Sequence, residues 1–187
     1  FRIEKEYWMH KVEGDAEELK KTYEFVYIDS DGSVWIPNYV VKSPQEVKKI
    51  IIEPKDLKNV VLMIHEDKEQ LKGKNVLKYI EWGETQKTKN GTSWPDVPSA
   101  RTRKYWWAIE EVSSPIVYPS TYNPVFKIFM QPNNTAIDKV LYAINPDNHE
   151  LTEILCALLN SSLLQFFIEI YGYPLMGGGG VFLAVYE

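Results

Sequence analysis

Residues 145–172, NPDNHELTEILCALLNSSLLQFFIEIYG, decide the fold class. Leu151, Ile154, Leu155, Leu158, Leu159, Phe166, Phe167 and Ile170 recur at the three- and four-residue spacing of one helix face, which predicts a long C-terminal core helix. Asp147, with Glu150 three residues on, has the form of a capping box, and Gly172 that of a C-cap. The polar run Asn160, Ser161, Ser162 interrupts the apolar face. MGGGG at 176–180 and a last strand, VFLAVY, follow.

Upstream of this helix the periodicity changes to that of strands. SPIVYP, VFKIFMQP and DKVLYAIN read as three strands parted by Pro and Asn turns. Residues 1–41 read as a small antiparallel sheet built from RIEKEYWMHKVE, KTYEFVYID and SVWIPNYVV, with SDGS at 30–33 as a hairpin turn. Ser43 before Pro44 predicts a capped short helix, PQEVKKII. NVVLMI at 59–64 predicts a buried strand, and residues 66–84 a helix in their latter half, with Leu77, Ile80 and Trp82 on its apolar side and Gly83 ending it. The expected class is therefore mixed α/β (α+β), with antiparallel or mixed sheets, one long C-terminal core helix and no Rossmann catalytic fold. One domain over 1–187 is expected, with a possible small β region at 1–58 and a larger core at 59–187.

With 44% hydrophobic and 25% charged residues the composition is that of a globular domain rather than a disordered one. No run approaches the roughly 18 apolar residues of a membrane span, and FRIEKEYWMHK lacks the apolar centre of a signal peptide. With Cys156 as the single cysteine, an internal disulfide and a cysteine-based zinc site are excluded. These features predict a soluble, cytoplasmic chain with no membrane partner. A start without Met and an end at VYE suggest a piece of a longer protein.

Recognisable catalytic chemistry is missing. Phosphate loops place a strand before the glycines and a helix after them, whereas here the order is helix, glycines, strand. His10, His65 and His149 fall in no metal-ligand spacing, and no G-x-S-x-G occurs. Adjacent carboxylates such as Glu17/Glu18 and Glu110/Glu111 read as solvated faces, so no catalytic or metal residue is assigned.

Net charge is −5, yet residues 85–107 carry five cations (Lys87, Lys89, Arg101, Arg103, Lys104) against Asp96 alone. That local +4 leaves −9 for the rest of the chain. Within it, PSARTRKYWWAI at 98–109 sets Arg101, Arg103 and Lys104 beside Tyr105, Trp106 and Trp107. Arginine has the fork geometry to grip a phosphate or the O6/N7 edge of guanine, and a large aromatic offers a stacking face. The loop before it supplies Gln86, Lys87, Lys89 and Asn90, donors of the kind that contact phosphates and base edges. The plainer reading buries Trp106 and Trp107 as anchors, with the arginines packed over them as cation–π partners.

Three segments taken in order, NVLKYIEWGE at 75–84, PSARTRKYWWAIEE at 98–111, and ALLNSSLLQFFIEIYG with MGGGGVFLAVYE at 157–187, resemble the C-terminal target-recognition region of adenine-specific (N6) DNA methyltransferases of restriction-modification systems, of type I or IIG. The resemblance covers most of residues 60–187 and is weak over 1–58. It implies a domain that binds double-stranded DNA and places a target adenine for a separate catalytic domain of the same parent chain, which uses S-adenosylmethionine. The catalytic Asn/Asp-Pro-Pro-Tyr/Phe motif is absent; Tyr122-Asn123-Pro124-Val125-Phe126 only echoes it. No cofactor is therefore expected on this chain, and the fragment itself is expected not to be an enzyme. By position the resemblance matches Arg101, Arg103 and Lys104 to the family's basic residues, Trp106 or Trp107 to its tryptophan, Asn160 and Ser161 to its Asn-Ser, and Gly177 to Gly180 to its glycine turn. The DNA-facing residues so expected are Gln86, Lys87, Lys89, Asn90, Ser99, Arg101, Arg103 and Lys104. Trp94, Trp106, Trp107, Asn160 and Gly178 take structural or stacking roles. The alternative is a module that docks a partner subunit through its aromatic segment.

Overall fold

A computed structural model describes residues 1–110, 112–122, 127–131, 135–171, 173–174 and 181–182. The chain forms two compact units, and it passes between them more than once: unit 1 comprises Phe1–Lys21, Phe25–Asn38 and Val60–Glu111, unit 2 the remainder. One of these passages falls between Asn59 and Val60, and residues 1–21 and 25–38 group with 60–111.

In unit 1, strands β1 (Met9–Val12), β2 (Tyr27–Ile28) and β3 (Val34–Pro37) form an antiparallel sheet with β3 in the middle. Met9 lies opposite Pro37 and Tyr27 opposite Trp35. Gly32, at φ 84°, makes the turn between β2 and β3, where Asp29 and Ser33 close a 2.8 Å backbone bond. Between β1 and β2 lies a helix, α1 (Ala16–Thr22), and of the strand expected over KTYEFVYID at 21–29 only Tyr27–Ile28 forms. The reason for the helix is local: Asp15 Oδ1 accepts from the amides of Glu17 (3.0 Å) and Glu18 (3.1 Å), while Glu17 and Glu18 in the first turn and Lys20 and Lys21 in the last complement the helix dipole.

Helix α2 (Asn75–Glu84) occupies the expected stretch, and Val76 and Ile80 bury its inner face with Tyr7, Ile64 and Leu71. Its exposed N-terminal amides are closed from far away in sequence. Glu4 Oε1 accepts from Asn75 N at 2.5 Å and Oε2 from Val76 N at 3.1 Å. Trp82, expected on the apolar side, is 41% exposed, and Gly83 lies inside the helix rather than after it. A single turn of α-helix, α3 (Pro98–Arg101), completes the unit.

Unit 2 holds β4 (Tyr39–Val41), with β5 (Asn59–Val60) at its edge in sequence, β6 (Ile116–Pro119), β7 (Thr121–Tyr122), β8 (Phe129–Met130), β9 (Ala136–Ile137), β10 (Leu141–Ile144), α4 (Thr152–Leu159), α5 (Ser162–Tyr171), β11 (Tyr173–Pro174) and β12 (Val181–Phe182). β6 pairs antiparallel with β10 on one side and β8 on the other, as the three strand-like segments predict. β12 lies between β11 and β7, and β4 runs parallel to β9. The result is α+β, small antiparallel and mixed sheets with helices, and no closed barrel among the described residues. The helix expected over PQEVKKII shrinks to one 3-10 turn, Pro44–Glu46, capped by Ser43 Oγ. Ile50 and Ile52 instead bond to Met130 through their backbones, at 2.8 Å each, so a β-branched run adds to the edge of β8. NVVLMI yields strand only at Asn59–Val60, with Val60 exposed and Ile64 buried.

The long C-terminal helix is two helices. α4 and α5 are bent by 64° at the Asn160-Ser161 break. Asn148, not Asp147, caps the start: its Oδ1 accepts from Glu150 N (3.0 Å) on a 3-10 turn, His149–Leu151, that leads into α4. Nor is the pair buried all round; Cys156 and Ile168 are buried while Leu158, Leu163 and Phe166 are exposed. Among the described residues, no single helix is long and apolar enough to cross a membrane. Gly172, Gly178 with its neighbouring glycines, and Asn123 to Phe126 lie outside the described residues, as does most of the last expected strand.

Candidate functional site

The residues singled out between 86 and 107 all lie in unit 1, and the end of α2 positions them. Trp82 O accepts from Thr85 N (3.0 Å), Thr85 Oγ1 (2.7 Å) and Gln86 Nε2 (3.3 Å), so the helix terminus is closed by side chains that follow it. Gln86, expected to face DNA, has its amide committed to this closure and to Thr85 Oγ1 at 2.9 Å. The loop then doubles back. Lys87 bridges Ser93, Thr88 N bonds to Thr92 O at 2.8 Å, and Gly91 takes φ 82° beside Asn90 at the tip. Lys87, Lys89 and Asn90 are exposed.

Trp94 N returns to Gln86 O at 3.2 Å, and a 3-10 turn, Trp94–Asp96, runs into α3. Ser99, Arg101 and Lys104 are exposed and Arg103 is half-buried. None of Lys87, Lys89, Arg101 and Arg103 is in an ion pair with a described residue. Lys104 Nζ lies 5.0 Å from the centre of the Tyr105 ring. Charges are thus kept available on a segment whose backbone is tightly bonded.

Behind them runs a continuous chain of aromatic contacts. Tyr79 meets Trp82 at 5.7 Å, Trp82 meets Trp94 edge-on at 5.4 Å, Trp94 meets Trp106 at 6.5 Å, and Trp106 meets Trp107 at 6.1 Å. Tyr105 stacks on Trp107 at 4.9 Å and 5°. Trp106 and Trp107 pack on the buried cluster of Tyr7, Ile64, Leu71, Val76 and Ile80, so their rings serve packing, and the arginines do not stack on them. Both indole N–H groups find acceptors: Trp106 Nε1 donates to Glu84 Oε1 (3.3 Å) and Trp107 Nε1 to Glu66 O (3.4 Å). Lys68 pairs with Glu84 Oε2 at 2.7 Å and lies 5.9 Å from the Trp107 ring.

Gly83, Glu84 and Lys68 are the supports that reading the sequence missed. A Cβ on Gly83 would sit 2.9 Å from Trp106 Cζ2 and nearer still to Cη2. The available signal was a glycine inside a helical pattern, which a close neighbour explains as well as a helix end does. Nothing in the spacing links Glu84 to Trp106. Asn160 belongs to unit 2, where it works locally. Its Oδ1 accepts from Ile128 N (3.0 Å), and its Nδ2 donates to Ile128 O (2.9 Å) and Cys156 O (2.8 Å).

Chemically, the 86–104 segment offers cationic and amide donors on a rigid backing. Among the described residues, no group of three or more His, Cys, Asp or Glu could hold a metal ion. The chain matches no protein-family model, no curated protein and no solved structure.

Proposed function

We propose that unit 1 reads duplex DNA, as the target-recognition part of a site-specific adenine-N6 methyltransferase or combined restriction enzyme whose catalytic domain, with its S-adenosylmethionine, is separate. The observation that carries the reading is the set of cations Lys87, Lys89, Arg101, Arg103 and Lys104, none in an ion pair among the described residues, on a segment fixed to α2 through Trp94 and Trp106. Sequence readers need donors held in place by a stiff platform, because a side chain that must first be ordered gives up part of its discrimination. Lys87, Lys89 and Asn90 on the loop, Ser99 and Arg101 on α3, and Lys104 beyond it are exposed donors in this arrangement. Docking of a partner through the aromatic segment is less well supported, since Trp106 and Trp107 already pack inward.

The test is selection from a pool of random duplex DNA at low and moderate salt, with Arg101→Ala/Arg103→Ala alongside. Salt-sensitive binding that enriches a short sequence and is lost in the double variant is the expected result. Binding that ignores both salt and the variant would sink the reading.

A further inference from the structure

The outward faces of α4 and α5 are apolar to a degree that unit 2 itself leaves unexplained. Leu151, Ile154, Leu158, Leu163, Phe166, Phe167, Ile170 and Tyr171 are each 45–73% exposed, whereas Leu155, Cys156, Leu159, Leu164 and Ile168 on the opposite sides fill the core. Residues 151, 154 and 158, and then 163, 166, 167 and 170, follow helical spacing, so the exposed side chains form stripes and are not scattered. A monomer rarely leaves more than about 300–600 Å² of contiguous apolar surface bare, and larger patches mark contact sites. The Asn160 bonds to Ile128 and Cys156 fix the bend between the two helices, so the surface is formed before anything binds.

Charge selects the occupant. No Lys or Arg occurs anywhere from Val140 to the end of the sequence, while Glu150 on the turn leading into α4 and Glu153 on α4 lie beside the stripe and are exposed. Helices that lie on lipid surfaces carry Lys and Arg beside the apolar face to meet anionic headgroups, the opposite of what is found. A second copy laid face to face would bring like charges together. We propose that α4 and α5 dock an amphipathic protein helix whose apolar stripe is flanked by Lys or Arg. This rests on unit 2 alone and stands or falls separately from DNA reading.

The experiment titrates the full chain with two labelled synthetic helical peptides of one length and one apolar pattern, Lys-flanked in the first and Glu-flanked in the second. Binding of the Lys-flanked peptide about tenfold tighter or more, with the gap closing as salt rises, is expected. Leu158→Glu with Phe166→Glu should abolish it. Because those changes could disturb packing, Glu150→Lys/Glu153→Lys provides a variant confined to exposed positions, and it should reverse the peptide preference. Equal affinity for both peptides, or preference unmoved by the reversal, overturns the proposal. So does concentration-dependent self-association that Leu158→Glu removes, which would give the face to a second copy, or binding to phosphatidylglycerol vesicles in place of the peptide.

Discussion

Gly83 shows how a single side chain's absence shapes the candidate site. In a helix exposed to water, alanine is favoured over glycine by about 1 kcal/mol. At Gly83 the Trp106 ring occupies the space a methyl would need, so the sign should invert. Gly83→Ala is expected to destabilise by about 1–3 kcal/mol in urea unfolding, and in a Trp106→Leu background the same change should become neutral or stabilising. Glu4 carries a second prediction. Burial works to raise its carboxyl pKa, but the amides of Asn75, of Glu4 itself and of Val76, with the charge of Lys74, outweigh it and hold the group below its ordinary 4.5. A carboxylate whose folded pKa is depressed stabilises the fold above its unfolded value, and that stability drains away as pH falls through the lower folded one. Glu4→Gln should therefore cost about 1 kcal/mol at neutral pH, by analogy with lost helix caps. The acid limb of the variant's stability profile should be shallower than that of the parent below pH 4.5.

At the scale of elements, α4 and α5 owe their bend to one amide. Ile128 has both backbone groups on Asn160, which also reaches back to Cys156 O, so the side chain replaces the helix bonds that the break gives up. Removing a partner from buried polar groups costs about 1–3 kcal/mol, and Asn160→Ala should fall in that range. Asn160→Asp distinguishes this from a volume effect: it keeps the acceptor for Ile128 N but turns a carboxylate on two carbonyl oxygens, so at neutral pH it should be at least as damaging, and acid should partly restore it. Cys156 reports on the same joint. Burial pushes its thiol pKa up, against a smaller downward pull from the Asn160 amide, and the native thiol should react slowly with a disulfide reagent but faster in Asn160→Ala. The polar interruption was plain in the sequence, as were α2, the turn at Gly32 and the trio β6, β8, β10, because each rests on local periodicity or turn chemistry. α1 carries a local signal too, the Asp15 cap, but the alternating Tyr23, Phe25 and Tyr27 that follow it have the period of a strand. The helix after Ser43 failed for the opposite reason, since an intact local cap lost to pairing of Ile50 and Ile52 with Met130, a partner far along the chain.

For the molecule as a whole, charge could be read from the sequence but long-range support could not. The cation-rich run 85–107 and the cation-free stretch after Lys139 are visible by counting, whereas Glu4 under α2, Glu84 on Trp106 and Lys68 beside Trp107 join positions that no motif connects. The uneven distribution makes a quantitative prediction for a chain of net charge −5. An acidic body opposes DNA at long range, so if unit 1 reads DNA its binding comes from few, close phosphate contacts, and their number can be counted by salt. Each neutralised phosphate contributes about −0.9 to the slope of log affinity against log salt. If Arg101 and Arg103 both sit on phosphates, Arg101→Ala/Arg103→Ala should flatten the slope by about 2 and weaken all sequences alike. If instead they read base edges, the slope should barely change while selectivity collapses, at about 1–3 kcal/mol for each lost pairing. Titrations of a selected and a scrambled duplex across the same salt series separate the two roles, and a slope and a selectivity both untouched by the double variant would move DNA contact away from α3 altogether.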